Sequence, residues 1–346
     1  MMMSIQAAFY EGNKRITVGT GSRREPGPEE VEIKVGFAGI CGTDLHIYHG
    51  NMDHRVNMPQ VIGHEMSGVV ERTGAQVTAF KPGDKVTVMP LDSCGECPAC
   101  KDGCSHICHN LKFMGIETDG AFQSFWTVPA KTLHRLPEEL SLKYGALIEP
   151  LAVACHDVRL GKVTTGDQVV VIGGGPIGTL IAMVAKAAGA IVTVAEINPY
   201  RLKLLQQLGL ETCNSKEQDL AEYVQKVTGG RGADVVFEVT SSLAGAEVMT
   251  KLPKVRGTIV IVGIFSKPVP VDLHRFFWRE LKLIGARVYE HEDFEKAIAL
   301  AAGGELALDQ IISEVYPLNE IQAGFQQMES GSGAMKVLIR CNEGMQ

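Results

Sequence analysis

Nine cysteines lie along the 346 residues, and five of them fall between Cys94 and Cys108. Four of these, Cys94, Cys97, Cys100 and Cys108, follow the spacing C-x2-C-x2-C-x7-C. Thiolates at that density can close a tetrahedral shell around Zn²⁺ and leave no coordination position open, which marks a structural rather than a reactive ion. Redox disulfides or plain packing compete with this interpretation, but clustering of this kind in a reducing compartment favours metal. Cys104 stands outside the four-ligand pattern and reads as a free thiol. His106 and His109 share the loop but are not needed once four sulfurs satisfy the ion.

A second set of metal-ligating types is dispersed: Cys41-Gly-Thr43-Asp-Leu-His46, then Gly63-His64-Glu65, then Glu149-Pro150. A thiolate, an imidazole and a carboxylate can hold zinc and still leave a position for water or substrate, which is what a catalytic ion needs. Taken singly, each of these residues is more often a satisfied core or surface residue, and spacing alone cannot join them.

The third constellation binds phosphate. Gly173-Gly-Gly175-Pro176-Ile177-Gly178 gives G-x-G-x-x-G directly after the β-branched run Val169–Ile172 and before a helical pattern. The first glycine allows a tight turn, the second lets the backbone approach a pyrophosphate, and the third permits close strand–helix packing. The amino end of the helix then offers free N–H groups and a favourable dipole. Glu196 ends the next run, about 20 residues after the loop begins, where a carboxylate accepts hydrogen bonds from a ribose and repels a 2′-phosphate. This predicts NAD rather than NADP. The plainer role for Glu196 is to cap the turn that follows it. Arg201 lies nearby, over an adenine or in solvent.

Two kinds of element must position these residues. Up to about residue 150 the chain reads as short β-rich pieces: Val31–Val35, Ser67–Glu71 and Lys85–Met89, with a turn at Pro82-Gly83-Asp84. From about Asp167 the pattern becomes strand, glycine turn, helix, and it continues through Ile191–Ala195, Asp234–Glu238, Thr258–Val262 and Lys282–Ile284. Repeated βα units imply a parallel sheet covered by helices on both faces. The tail then opens with a helical face marked by Phe294, Ile298 and Leu300.

Bulk properties narrow the classes further. A chain of this length exceeds what one core usually organises, so two domains are expected. Hydrophobic content of 45% and charged content of 21% sit near the averages of soluble globular proteins. The net charge of −7 and the lack of a basic stripe argue against a nucleic-acid partner. The apolar stretch from Val169 to Ala185 is broken by the glycine turn, so no membrane span is expected. Met1-Met-Met-Ser4 carries neither the basic nor the apolar segment of a leader, which leaves the cytoplasm as the expected compartment.

In order and in type, the Gly39–Asp44 segment, Gly63-His64-Glu65, the four-cysteine loop, Glu149-Pro150 and the glycine turn resemble the zinc-containing medium-chain alcohol dehydrogenases, over nearly the whole chain. The resemblance implies an α/β chain: a GroES-like β-rich catalytic domain over residues 1–150, a Rossmann domain over 151–290, and a segment 291–346 that returns to the catalytic domain. It implies two zinc ions per chain and NAD as cofactor. Cys41 and His64 become ligands of the catalytic zinc, with Glu65 and Glu149 at the two acidic positions. In the sorbitol-dehydrogenase-like branch Glu65 usually ligates while Glu149 contacts the zinc-bound water, and the roles can exchange. Thr43 resembles the hydroxyl that contacts the substrate oxygen. His46 resembles the outer end of a proton relay that runs through the nicotinamide ribose, a task suited to histidine as a residue type.

Within that family, Ala146–Val153 is most similar to dehydrogenases of polyols, sugar acids and butanediol. The expected substrate is therefore a small alcohol, polyol or sugar acid whose secondary hydroxyl becomes a ketone. Arg287 could fork onto a substrate carboxylate or pair with a protein acid. Threonine or another amino-alcohol or diol is the alternative substrate, and a non-catalytic dinucleotide-binding protein is the alternative class. Retention of Cys41, Thr43, His46, His64 and both glutamates speaks against the latter. The family also implies a homodimer or homotetramer.

Overall fold

Strand Glu30–Gly39 shows how the β-rich part is organised. Val31, Ile33 and Val35 alternate inward as the pattern requires, yet Glu32 is also buried, at 1% exposure. Arg23 and Arg72 both fork onto its carboxylate, at 2.6–2.8 Å. Burial pushes the Glu32 carboxyl up, but the two guanidinium groups prevail and hold it below its ordinary range. This strand pairs antiparallel with Glu65–Thr73, with Phe125–Pro129 and with Lys336–Arg340. It thereby joins the first part of the chain to its last strand.

The computed structural model describes residues 4–331 and 333–345. They fall into two units, one within Met1–Glu149, Glu290–Gly304 and Leu308–Gln346, the other within Pro150–Tyr289 and Glu305–Ala307. The first unit contains a seven-stranded, largely antiparallel sheet and a three-stranded one. Helix His291–Gly303 belongs to it and buries Phe294, Ala297, Ile298 and Ala301. Leu300 is only half-buried, correcting the expected face. Six positions at 100° per residue rotate it well away from Phe294, whereas Ala297 and Ala301 stay in line.

The second unit is built on six parallel strands. Their spatial order is Glu211–Asn214, Ile191–Glu196, Gln168–Ile172, Ala233–Glu238, Pro253–Ile261 and Lys282–Gly285. That is the doubly wound Rossmann order, in which ligands bind beyond the carboxyl ends of the strands where the order reverses. Gln168–Ile172 is one of the two strands at the reversal, and the glycine turn follows it directly. Val169, Val170 and Val171 are buried, as strands covered on both faces require. No described helix is long and apolar enough to cross a membrane. The stretch from Val169 to Ala185 is divided between strand, turn and helix Pro176–Ala187.

Candidate functional site

The four-cysteine loop is brought to a point by local structure. Cys97 caps the short helix Pro98–Lys101, with proline at its first turn. The sulfur of Cys108 lies 3.4 Å from that of Cys94 and 3.8 Å from that of Cys97, and Cys97 lies 3.5 Å from Cys100. A tetrahedron of sulfurs about 2.3 Å from zinc has edges of about 3.8 Å. N–H donors from Glu96 and Cys97 lower the Cys94 thiol to about 6, and those of Cys100 and His109 lower Cys97. Burial and the neighbouring sulfurs push Cys100 up to about 12. Four sulfurs at this spacing cannot all be thiolates without a cation among them, so the donor set fits zinc. Cys104, His106 and His109 stand outside the four-sulfur group.

Cys41, His64 and Glu65 offer ligand atoms within 4.8 Å of one another. Cys41 precedes helix Gly42–Tyr48, while His64 and Glu65 lie at the start of strand Glu65–Thr73. A Cβ at Gly39, opposite Glu65 in the sheet, would lie 2.1 Å from Glu65 Oε2, so only glycine leaves room for the carboxylate. Asp44 Oδ2 accepts the Cys41 backbone N–H at 2.9 Å, and its Oδ1 lies 3.6 Å from His64 Nδ1. Both Asp44 Oδ1 and His64 Nδ1 are buried polar atoms without a hydrogen bond. A carboxylate beside one ring nitrogen leaves the other for a metal, as in carboxylate–histidine–zinc arrangements. Phe113 packs edge-on against the same imidazole at 5.3 Å. Burial pushes the His64 imidazole down, but the charges of Asp44 and Cys41 outweigh it and hold it well above its ordinary range. The surroundings therefore favour positive charge and fit a cation.

Lys336 supplies one such charge. Its Nζ donates to both oxygens of Glu65 at 2.7 Å and to the Ile40 carbonyl at 3.2 Å. The two side chains are 3% and 0% exposed. Burial opposes the ammonium, yet Glu65, Cys41 and Glu149 keep it protonated above its ordinary range. Glu65 is thus held by a buried cation while lying within reach of the ligand group. Glu149 is buried at the start of helix Ile148–Leu160 and lies outside the Cys41 group. Thr43, half-buried, and His46, exposed, stand three residues apart on helix Gly42–Tyr48 and so share a face.

In the second unit Gly173 has φ +104°, a conformation that favours glycine. A Cβ at Gly178 would lie 1.9 Å from the Gly173 carbonyl oxygen, whereas one at Gly175 would meet only the end of Arg201, at 3.6 Å. Space beside Gly175 is therefore left for something outside the chain. No side chain caps helix Pro176–Ala187, so its first N–H groups are available to phosphate. Pro176 and Ile177 form its first turn. The loop fits a dinucleotide. Glu196 accepts the N–H groups of Gly174, Ile197 and Asn198 at 2.9, 2.6 and 2.9 Å, with Arg201 Nη1 3.7 Å away. The turn-capping role is present in full.

Two family models cover most of the chain: the alcohol dehydrogenase GroES-like domain over residues 27–138 and the zinc-binding dehydrogenase over 176–303. A 2-dehydro-3-deoxy-L-galactonate 5-dehydrogenase of Pseudoalteromonas atlantica is 53% identical over 336 residues, 97% of this chain and 98% of that one. The chain belongs to the zinc-binding alcohol dehydrogenase family. A sorbitol dehydrogenase of Halalkalibacterium halodurans is 33% identical over 91% of this dehydrogenase and 92% of its own length. A Sinorhizobium meliloti protein assigned as a zinc-binding dehydrogenase and solved with NADP superposes with TM-score 0.92 at 32% identity, covering 98% and 99% of the two chains.

The dehydrogenase also contains site residues to which sequence reasoning gave no role. Asp44 was visible as the fourth residue of Cys41-Gly-Thr-Asp, but a function for it requires knowing that it reaches His64. Lys336 stands alone in the apolar run Ala334–Ile339. A charge in such a strand signals a buried partner, although nothing in the spacing names Glu65.

Proposed function

We propose that this dehydrogenase oxidises a secondary hydroxyl of a sugar acid to a ketone with NAD, using Cys41, His64 and Glu65 to hold a catalytic zinc. The observation that carries the substrate class is the 53% identity, across 97% of the chain, with a dehydrogenase of a deoxy keto sugar acid. When bound, the zinc acts as a Lewis acid on the substrate oxygen, and the nicotinamide supplies the hydride acceptor. Asp44 orients His64 through Nδ1. Lys336 restrains Glu65 and offsets the negative charge of the donor set, and Glu149 serves as the second acid. The Thr43 hydroxyl would accept the substrate's hydroxyl proton while passing on its own, and His46, exposed on the same helix face, would release a proton to solvent. Cys94, Cys97, Cys100 and Cys108 hold the structural zinc. In the second unit Gly173, Gly175, Pro176, Ile177 and Gly178 cradle the pyrophosphate, Arg201 lies beside the adenosine, and Glu196 turns from its backbone partners to the ribose.

The test is a substrate panel of 2-dehydro-3-deoxy-L-galactonate, L-galactonate, sorbitol and L-threonine, with NAD and NADP in parallel. The highest kcat/KM is expected for a sugar acid with NAD. Preference for threonine would overturn the substrate class, and equal use of NADP would overturn the role of Glu196.

We further propose that the chain self-associates through the second unit and works in the cytoplasm. Lys282–Gly285 is the edge strand of its sheet, and Phe277 and Trp278 are 77% and 68% exposed. Unpaired strand edges and clustered apolar side chains favour association. None of the nine cysteines is paired in a disulfide, as suits a reducing compartment. Analytical ultracentrifugation of Trp278→Glu should show a shift toward monomer.

A further inference from the structure

Beyond the two metal-ligand groups already described, a histidine-rich cluster lies wholly within the first unit. His134, on strand Leu133–Arg135, is buried, with its side chain 2% exposed. Its Nδ1 lies 2.7 Å from Glu295 Oε1, and its ring centroid lies 4.4 Å from that of His291. Phe294 stacks on the same ring at 4.8 Å. His291 and Glu295 are four residues apart in helix His291–Gly303, so both project from one face. Ligand atoms of the three residues lie within 4.8 Å of one another.

We infer that His134, His291 and Glu295 form a third cation site, for a borderline divalent ion such as zinc. Two imidazoles and a carboxylate are the donor set that such ions prefer, and hard ions such as Mg²⁺ are poorly served by it. A hydrogen bond accounts for the His134–Glu295 pair but gives His291 no reason to crowd a second imidazole. A shared ion accounts for all three. With ligands about 2.0–2.2 Å from zinc, a tetrahedral site needs donor atoms about 3.4 Å apart, so rotation of the exposed Glu295 and His291 side chains suffices. Glu295 is 60% exposed, which gives an ion a way in. His134 and Glu295 are 161 positions apart, so the ion would tie the returning helix to a strand of the first half and restrict the unfolded chain.

Zinc-replete protein, dialysed against zinc-free buffer, is titrated with Zn²⁺ at equilibrium, with bound metal measured by elemental analysis and Tm recorded in parallel. His291→Ala and Glu295→Ala are treated in the same way. The wild type is expected to take up one more equivalent per chain than either variant, with a saturable rise in Tm that both variants lack. Removing a ligand should weaken the site by at least about tenfold, the low end of the cost of losing even an outer-shell partner. Because the count is a difference between proteins, it does not depend on the occupancy of the other two centres. Equal zinc uptake by wild type and variants, or an equal rise in Tm, would overturn the inference and leave a hydrogen-bonded pair beside a tilted histidine.

Discussion

The sulfurs of Cys94 and Cys108 are 14 positions apart in the chain, whereas Glu65 and the lysine that holds it are 271 apart. The four-cysteine loop gathers its four candidate ligands from one turn-rich segment, and its own backbone N–H groups lower two of its thiols. The proposed Cys41 centre draws its candidate ligands from a helix start and a strand start, a second carboxylate from Asp44 and a cation from the last strand. A closed centre can be built locally because it serves only the loop that makes it. An open centre must keep a position free, so its charge balance and ligand orientation are supplied from around it. Damage to the closed centre should therefore appear as lost stability, and damage to the open one as lost turnover.

The largest expected effect is that of Cys41→Ala. Loss of a zinc ligand should reduce kcat by roughly 10³-fold or more, since Lewis-acid stabilisation is worth several kcal/mol. NAD binding, followed by fluorescence, should be nearly unchanged because the glycine loop lies in the other unit. Substantial turnover by a zinc-free Cys41→Ala protein would break the comparison at its root.

Lys336→Met comes next. Removing one partner of a buried ion pair costs about 3–5 kcal/mol, because the other charge is left unpaired. The loss of stability should be smaller in the zinc-loaded protein than after chelation, since a freed Glu65 can turn to the metal. Equal losses in both states would show that Glu65 never serves as a ligand and would shift that role to Glu149.

Cys100→Ser should lower Tm by several degrees, at about 2–4 °C per kcal/mol for a unit of this size, and release one zinc. The kcat per remaining folded molecule should change little. A lost kcat with an unchanged Tm would reverse the roles assigned to the two centres.

The smallest effect is expected for His46→Ala. Positioned proton transfer contributes about 10²-fold at the lower end of its range. The deficit should be greatest at low pH, where hydroxide cannot substitute, and should be relieved by added buffer bases. Full activity at every pH would remove His46 from proton transfer without touching the metal assignment.

The sequence by itself carried the fold class, because alternation of period two and strand–glycine–helix units are local patterns that tertiary packing here reinforces. The glycine loop was legible for the same reason: its turn, its uncapped helix start and its crowded third glycine are consequences of adjacent residues. So was the four-cysteine loop, in which ligand spacing and fold are the same information. Cys41, His64 and Glu65 could be grouped only by resemblance, because no rule of local periodicity joins residues on different elements. Pairings made by the sheet lay beyond any such rule. Strand Glu30–Gly39 is flanked by the strands that begin with Glu65 and Lys336, and that arrangement alone decides that a buried ammonium holds Glu65. The approach of Asp44 to His64 and the meeting of His134 with His291 and Glu295 were decided in the same way. Side-chain contacts between distant residues follow from which strands and helices become neighbours, and that choice is made by burial of the whole core rather than by the residues that happen to meet.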